Sequence, residues 1–164
     1  MKNAMLSILV KNRVGVLSRI AALFSRRGYN IESLSVCATE VTAVSRMTIT
    51  VVNDRHLVDQ ITKQLLKQED VLFVKELNAE NSVSRELLIV KLKIASDKRS
   101  QIIDICSIFK AKTVDITVET MTLELTGRND KIDAFMEVLQ PYEILEMARS
   151  GVSAIQRGEA TIKE

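Results

Sequence analysis

The chain has 164 residues, 46% of them apolar, with 23 Lys and Arg against 21 Asp and Glu for a net charge of +2. That is enough for one ordinary domain or two small ones, and interspersed charge of both signs calls for no nucleic acid or other polyanionic partner. No apolar run reaches membrane-span length and no secretory h-region opens the chain, so the expected class is a cytoplasmic α/β or α+β protein with no membrane contact.

Met5 to Val10 is strand-like, with Leu6, Ile8 and Val10 in period-two register. Asn12 to Gly15 break the pattern. Val16, Leu17, Ile20, Ala21, Leu23 and Phe24 recur at helical spacing, and Gly28 stands where a glycine closes a helix. Asn30 to Ala38 reads as a second strand and Ser45 to Val52 as a third, where Met47, Ile49 and Val51 alternate with Arg46, Thr48 and Thr50. Asn53-Asp54 can cap a second helix with a stripe of Leu57, Val58, Ile61, Leu65 and Leu66. Val71 to Leu77 closes this unit as a fourth strand.

Asn78 to Ser84 is polar and patternless, and reads as a linker. The order then repeats. A strand opens at Glu86 and runs to Ile94, and a helix carries Ile102, Ile103, Ile105, Cys106 and Phe109. Strands follow at Val114 to Val118 and Met121 to Leu125. Gly127 to Asp130 turn the chain into a helix with Ile132, Phe135, Met136 and Leu139, which Pro141 stops, and Glu143 to Met147 gives a last strand. Two βαββαβ units in tandem are predicted, over residues 1–77 and 85–148, joined by 78–84 and followed by a tail at 149–164. The tail has few large apolar residues and reads as a frayed terminus. Cys37 and Cys106 both lie in apolar runs and are expected to be buried, reduced thiols.

Asn12 follows the first strand at its far end, and Asn30 precedes the second strand at its near end. In a βαββαβ sheet those two strands run parallel with the third between them. Strands of six residues span roughly 20 Å, so one chain cannot bring both amides to one small ligand. Antiparallel pairing of two second strands, edge to edge, would bring Asn30 of one chain toward the Asn12 loop of the other. It would also cover an exposed edge and make two equivalent sites at an isologous interface.

Gly15 removes a side chain where the backbone opens a helix, leaving N–H groups and the positive dipole end. A carboxylate fits there, with Asn12 to orient it and Val14, Val16, Leu17 and Ile31 as an apolar lining. That combination fits a free aliphatic amino acid. The same Asn12 and Gly15 also fit a plain turn and helix cap.

The run from Asn12 through Gly15-Val16-Leu17-Ser18-Arg19 to Gly28-Tyr29-Asn30-Ile31-Glu32-Ser33-Leu34 resembles ACT domains. With Ser45 to Ile49, Ala148 to Val152 and Arg157-Gly158, it more narrowly resembles the regulatory small subunits of acetohydroxyacid synthase, also called acetolactate synthase. The resemblance implies an α+β protein of two tandem ferredoxin-like units, the first an ACT effector-binding domain. It implies a non-catalytic homodimer in branched-chain amino-acid biosynthesis, which activates a large catalytic subunit and confers feedback inhibition by L-valine. No cofactor is implied for this chain; thiamine diphosphate, magnesium and FAD are expected on the catalytic subunit. The positions matching the effector contacts are Asn12, Gly15, Val16 and Leu17 from one chain with Asn30 and Ile31 from the other. The resemblance also marks Arg149, Gly151 and Arg157 for assembly.

Other functions find less support. The single histidine, His56, has no serine or cysteine motif near it, and the cysteines lack CxxC spacing, so neither catalysis nor a metal site is expected. No phosphate-binding glycine motif occurs. An RNA-binding sheet of this order needs central aromatics, whereas Leu6, Ile8, Val10, Met47, Ile49 and Val51 stand here. The alternative is an ACT-type sensor for a different enzyme or a transcription complex. That would require an attached domain, and the second unit takes up the remaining chain. Its first strand-to-helix loop, Ala95 to Arg99, has neither glycine nor asparagine and is not expected to repeat the site.

Overall fold

The computed structural model describes residues 3–52 and 54–163 and forms two compact units. One comprises the chain up to Ser84 together with the stretch from Gly151 onward, and the other is Arg85–Ser150.

The first unit runs β1 (Asn3–Lys11), α1 (Val16–Arg26), β2 (Ser33–Ala38), β3 (Val44–Val52), α2 (Arg55–Leu65) and β4 (Val71–Leu77). Its antiparallel sheet has the order β2-β3-β1-β4, so β3 lies between β1 and β2 and β2 is outermost. Alternation sends Ala4, Leu6, Ile8 and Val10 of β1 and Met47, Ile49 and Val51 of β3 to one face. There they meet Val16, Ile20, Leu23 and Phe24 of α1 and Val58, Ile61 and Leu65 of α2. This is the α+β ferredoxin-like arrangement, helices on one face of an antiparallel sheet.

The helix ends follow local chemistry. Gly28 takes φ +68°, its N–H donates to Ser25 O at 3.1 Å, and Tyr29 N–H reaches Phe24 O at 2.9 Å. With the Phe24 and Tyr29 rings edge-to-face at 6.1 Å, this is a Schellman closure complete with its apolar contact. Asp54 caps α2 by accepting from the His56 and Leu57 backbone N–H groups at 2.9 and 3.3 Å. The predicted partner in that cap, Asn53, lies outside the described residues.

The second unit repeats the order with β5 (Ser82–Lys93), α3 (Arg99–Phe109), β6 (Lys112–Ile116), β7 (Thr120–Gly127), α4 (Asn129–Leu139) and β8 (Glu143–Arg149), in sheet order β6-β7-β5-β8. Leu88, Val90, Leu92, Met121, Leu123 and Leu125 meet Ile102, Cys106, Ile132, Phe135 and Leu139 in its core. α4 ends at Leu139, one residue before its partner cap Gln140 and two before Pro141.

Several expectations change. The linker predicted at 78–84 is a turn, in which Asn81 N–H donates to Asn78 O at 3.1 Å; Ser82 already begins β5. β2 starts at Ser33, so Asn30 and Ile31 lie in the loop before it. Cys106 is buried but Cys37 is exposed, because β2 is an edge strand. The tail is not frayed. Arg149 ends β8, and Ser153–Gln156 forms β9, which pairs with β5.

From Gly151 onward the chain belongs to the first unit. Val152 and Ala154 pack with Leu77 and Met5 on the sheet face opposite the helices. Lys75 Nζ reaches Thr161 O at 3.4 Å, and Ile162 is buried. Arg46 Nη1 donates to Ser7 Oγ at 2.7 Å on the same face, where Thr48 and Thr50 are also buried.

Candidate functional site

The loop after β1 is held by its neighbours. Asn12 N–H donates to Ala43 O at 2.7 Å and Asn12 Nδ2 to Thr42 O at 3.0 Å. Both bonds fix the loop to the turn between β2 and β3. Gly15 then adopts φ +84°, ψ −5° as the residue before α1, a left-handed conformation that L side chains take only with strain. No side chain caps α1 and no acidic residue lies in its first turn, so its positive end is not neutralised from within.

A cation stands beside it. Arg19 Nη1 lies 3.3 Å from where a Cβ on Gly15 would be, and the guanidinium pairs with Asp70. Asp70 in turn accepts the Lys11 N–H on its backbone oxygen at 2.8 Å. Sequence reading singled out neither the pair nor its role: Asp70 is 51 residues from Arg19 and carries no local pattern.

The predicted lining residues divide. Val16 is buried in the core beneath the loop, Val14 is fully exposed, and Leu17 is 42% exposed. Ile31 is half-buried against the first core. Asn30 is exposed, with Nδ2 donating to Glu32 Oε1 at 2.7 Å.

Asn12 hydrogen-bonds at Ala43, and Glu32 N–H bonds Thr50 O at 2.9 Å. Those positions on the β3 side are seven residues apart, roughly 20 Å along a strand. Asn12 and Asn30 of one chain therefore lie at opposite ends of its sheet. Among the described residues each asparagine side chain donates within its own chain.

The second unit fills the corresponding loop differently. Ile94 N–H donates to Glu119 O at 2.7 Å, the counterpart of the Asn12 backbone bond. A 3-10 turn at Ser96–Lys98 then leads into α3, with no left-handed glycine. Arg99 Nη2 donates to Thr117 O at 2.6 Å and also to Val118 O.

Its most heavily bonded polar group is elsewhere. Arg149 Nε donates to Glu86 Oε2 at 2.6 Å, Nη1 to Asp133 Oδ1 at 2.8 Å, and Nη2 to Asn129 Oδ1 at 2.6 Å. Burial alone would lower this guanidinium's pKa. The hydrogen bonds and charges of Glu86 and Asp133 outweigh burial and hold it above its ordinary value. Gly151 and Arg157, the other tail residues marked by resemblance, meet the first unit, Arg157 through its N–H to Asn81 O at 2.9 Å.

Among the described residues no His, Cys, Asp or Glu group could hold a metal, and no helix is long and apolar enough to cross a membrane.

Known proteins match over the same two halves. A family model described as an AHAS small subunit-like ACT domain matches residues 6–73, and one described as the small subunit of acetolactate synthase matches 85–158. An acetolactate synthase small subunit from Mycolicibacterium smegmatis is 48% identical over 93% of this chain and 90% of its own length. A probable acetolactate synthase small subunit from Methanothermobacter thermautotrophicus is 44% identical over 96% and 94%. The crystal structure of the acetolactate synthase small subunit from Thermotoga maritima superposes with a TM-score of 0.89 at 34% identity, covering 98% of this chain and all of that one.

Proposed function

The chain belongs to the small-subunit family of acetolactate synthase, and we propose that it acts there as a non-catalytic homodimer that activates the catalytic subunit and confers feedback inhibition by L-valine. The observation that carries the effector reading is the Gly15 loop: a left-handed glycine before an uncapped helix, with Arg19 beside it. The α-carboxylate is received by the first-turn N–H groups of α1. The ammonium is taken by the amide oxygens of Asn12 and, from the other chain, Asn30. Leu17 and Ile31 line the side-chain pocket, and Val16 supports the loop from the core.

Pairing two β2 strands antiparallel supplies the second asparagine, since within one chain the two half-sites lie at opposite ends of the sheet. Occupancy favours one arrangement of the dimer, and the catalytic subunit responds to it. Coupling of about 1–3 kcal/mol is the usual scale. By linkage the inhibited catalytic subunit tightens valine binding equally. Thiamine diphosphate, magnesium and FAD belong to the catalytic subunit in this reading.

Calorimetry with L-valine on the isolated protein tests it, together with Gly15→Asp. A Cβ at Gly15 meets only the flexible end of Arg19, so the variant folds, at a cost of about 1–2 kcal/mol for the left-handed backbone. It retains activation of the catalytic subunit and loses both the heat of valine binding and valine inhibition. Inhibition at wild-type valine concentrations would place the effector elsewhere. A mixed dimer of one Asn12→Ala and one Asn30→Ala chain keeps one intact pocket if the site is shared between chains, and none if it is not.

A further inference from the structure

Each unit lays a pair of helices over the same kind of sheet, yet the two pairs differ in charge. α1 and α2 hold Arg19, Arg26, Arg55 and Lys63 against a single acid, Asp59. α3 and α4 hold only Arg99 and Lys131 against Asp104, Asp130, Asp133 and Glu137. Arg27 and Lys67, just past the ends of α1 and α2, add to the first excess. The fold therefore does not require a basic helix layer, and this sequence builds one in the first unit only. Helix stability accounts for part of it: Arg26 and Lys63 lie in last turns, where a cation suits the negative end of the dipole. Arg19 and Arg55 do not fit that account. Arg55 opens α2 and Arg19 stands one turn into α1, near the positive ends, and neither helix has an acid in its first turn. Arg19 is paired with Asp70. Among the described residues Arg26, Arg27, Arg55, Lys63 and Lys67 enter no ion pair, and Arg27 reaches only the neutral Gln64, at 3.3 Å. All five are exposed, and Leu66, next to Lys67, is 55% exposed.

We infer that the outer face of α1 and α2 is the surface on which the catalytic subunit docks, through an acidic face of its own. This rests on the proposed function above, in which the chain acts on a catalytic subunit. Clustered cations without anionic neighbours set up a positive potential that steers an acidic partner toward them and is screened by salt. Leu66 supplies an apolar contact within that field. Edge-to-edge pairing of two β2 strands uses the rim of the sheet and leaves its helix face open. A two-fold axis through that pairing sets the helices of both protomers on one side of the extended sheet, so the basic surface is doubled.

Association of the full chain with the immobilised catalytic subunit, followed by surface plasmon resonance across a salt series, tests it. Arg55→Glu with Lys63→Glu reverses two exposed cations that take no part in the effector reading. Association slows about tenfold at low salt, the low end of the range for electrostatic steering, and the gap to wild type closes as salt rises. Lys98→Glu with Arg128→Glu makes the same change in net charge at exposed positions of the second unit and leaves the rate close to wild type. Equal slowing by both pairs makes it an effect of net charge, and no slowing by the first pair leaves the layer a solvated face. Either result overturns the inference.

A wild-type urea midpoint shows that the first variant is folded. If the midpoint has fallen, Arg55→Gln with Lys63→Gln, which removes the charges without reversing them, carries the same comparison at about a threefold slowing. A changed oligomeric state in sedimentation, with association at the wild-type rate, assigns the layer to a second copy of this chain and overturns the inference as well. Wild-type protein that does not associate with the catalytic subunit at any salt defeats the proposed function and this docking face with it. Wild-type association with unaffected variants defeats the docking face alone.

Discussion

The two units share an element order and a sheet order, and each ties its first strand-to-helix loop to the hairpin turn beyond it. They do so with different side chains. Asn12 donates to Thr42 O in the first unit, and Arg99 donates to Thr117 O and Val118 O in the second. A short amide ties the loop of the first unit, where Arg19 stands over Gly15. A long guanidinium ties that of the second. The ends of the matching helices differ in the same sense. α1 closes through Gly28 at φ +68°, and α3 closes through Lys110 at φ +56°, with Ala111 N–H to Cys106 O at 2.8 Å completing the same hydrogen-bond pattern. Sheet order is tolerant of such exchanges, whereas an open helix N-terminus is not.

The largest break in the comparison should come from Arg149→Met. It leaves Glu86, 5% exposed, as a buried carboxylate without its guanidinium, a loss of about 3–5 kcal/mol. Urea unfolding followed by exchange in the second core should show that unit destabilised, with the first core retained. Next come the two loop ties. Arg99→Met should cost about 2 kcal/mol, because charge-assisted bonds are lost, and Asn12→Ala about 1 kcal/mol. Equal costs in urea titration would mean that the two ties are mechanically equivalent.

The helix closures give a smaller, opposed pair. Lys110→Gly should stabilise the second unit by about 1 kcal/mol by relieving the left-handed backbone, and Gly28→Ala should destabilise the first by about 1 kcal/mol. The thiols give the finest contrast. A thiol reagent should modify exposed Cys37 quickly and Cys106 only on unfolding. Burial raises the Cys106 pKa. Its contribution to stability is therefore present below the ordinary thiol range and fades as pH rises through it, because the unfolded state ionises first. Cys106→Ala should abolish that alkaline loss.

Much of the scaffold was legible because it rests on local period and turn chemistry. Leu6, Ile8 and Val10 declare a strand face, and Gly28 closes a helix by its own conformational freedom. The positions of Asn12, Gly15 and Asn30 at element ends were legible on the same terms. The expected burial of Cys37 failed because an apolar neighbourhood in sequence does not say that a strand lies at an edge. Ser82 to Ser84 looked like linker because polar residues in a strand carry no period signal when both faces are covered late. Thr48 and Thr50, which alternate with the core residues of β3, are buried as well, on the face that the tail crosses. Asp70 and Glu86 offered no local pattern at all, since their partners lie 51 and 63 residues away.

By itself, then, the order of residues determined where strands and helices form, how often the unit repeats, and which strand-to-helix loop keeps a glycine. These depend on interactions within a few residues, which alternation, helical spacing and left-handed backbone preferences encode directly. Tertiary structure alone decided that Arg19 stands over Gly15 paired to Asp70, that Arg149 locks onto Glu86, and that the last residues return to the first sheet. Each of those is a contact between distant segments, and its free energy exists only after the sheets have brought the partners within reach.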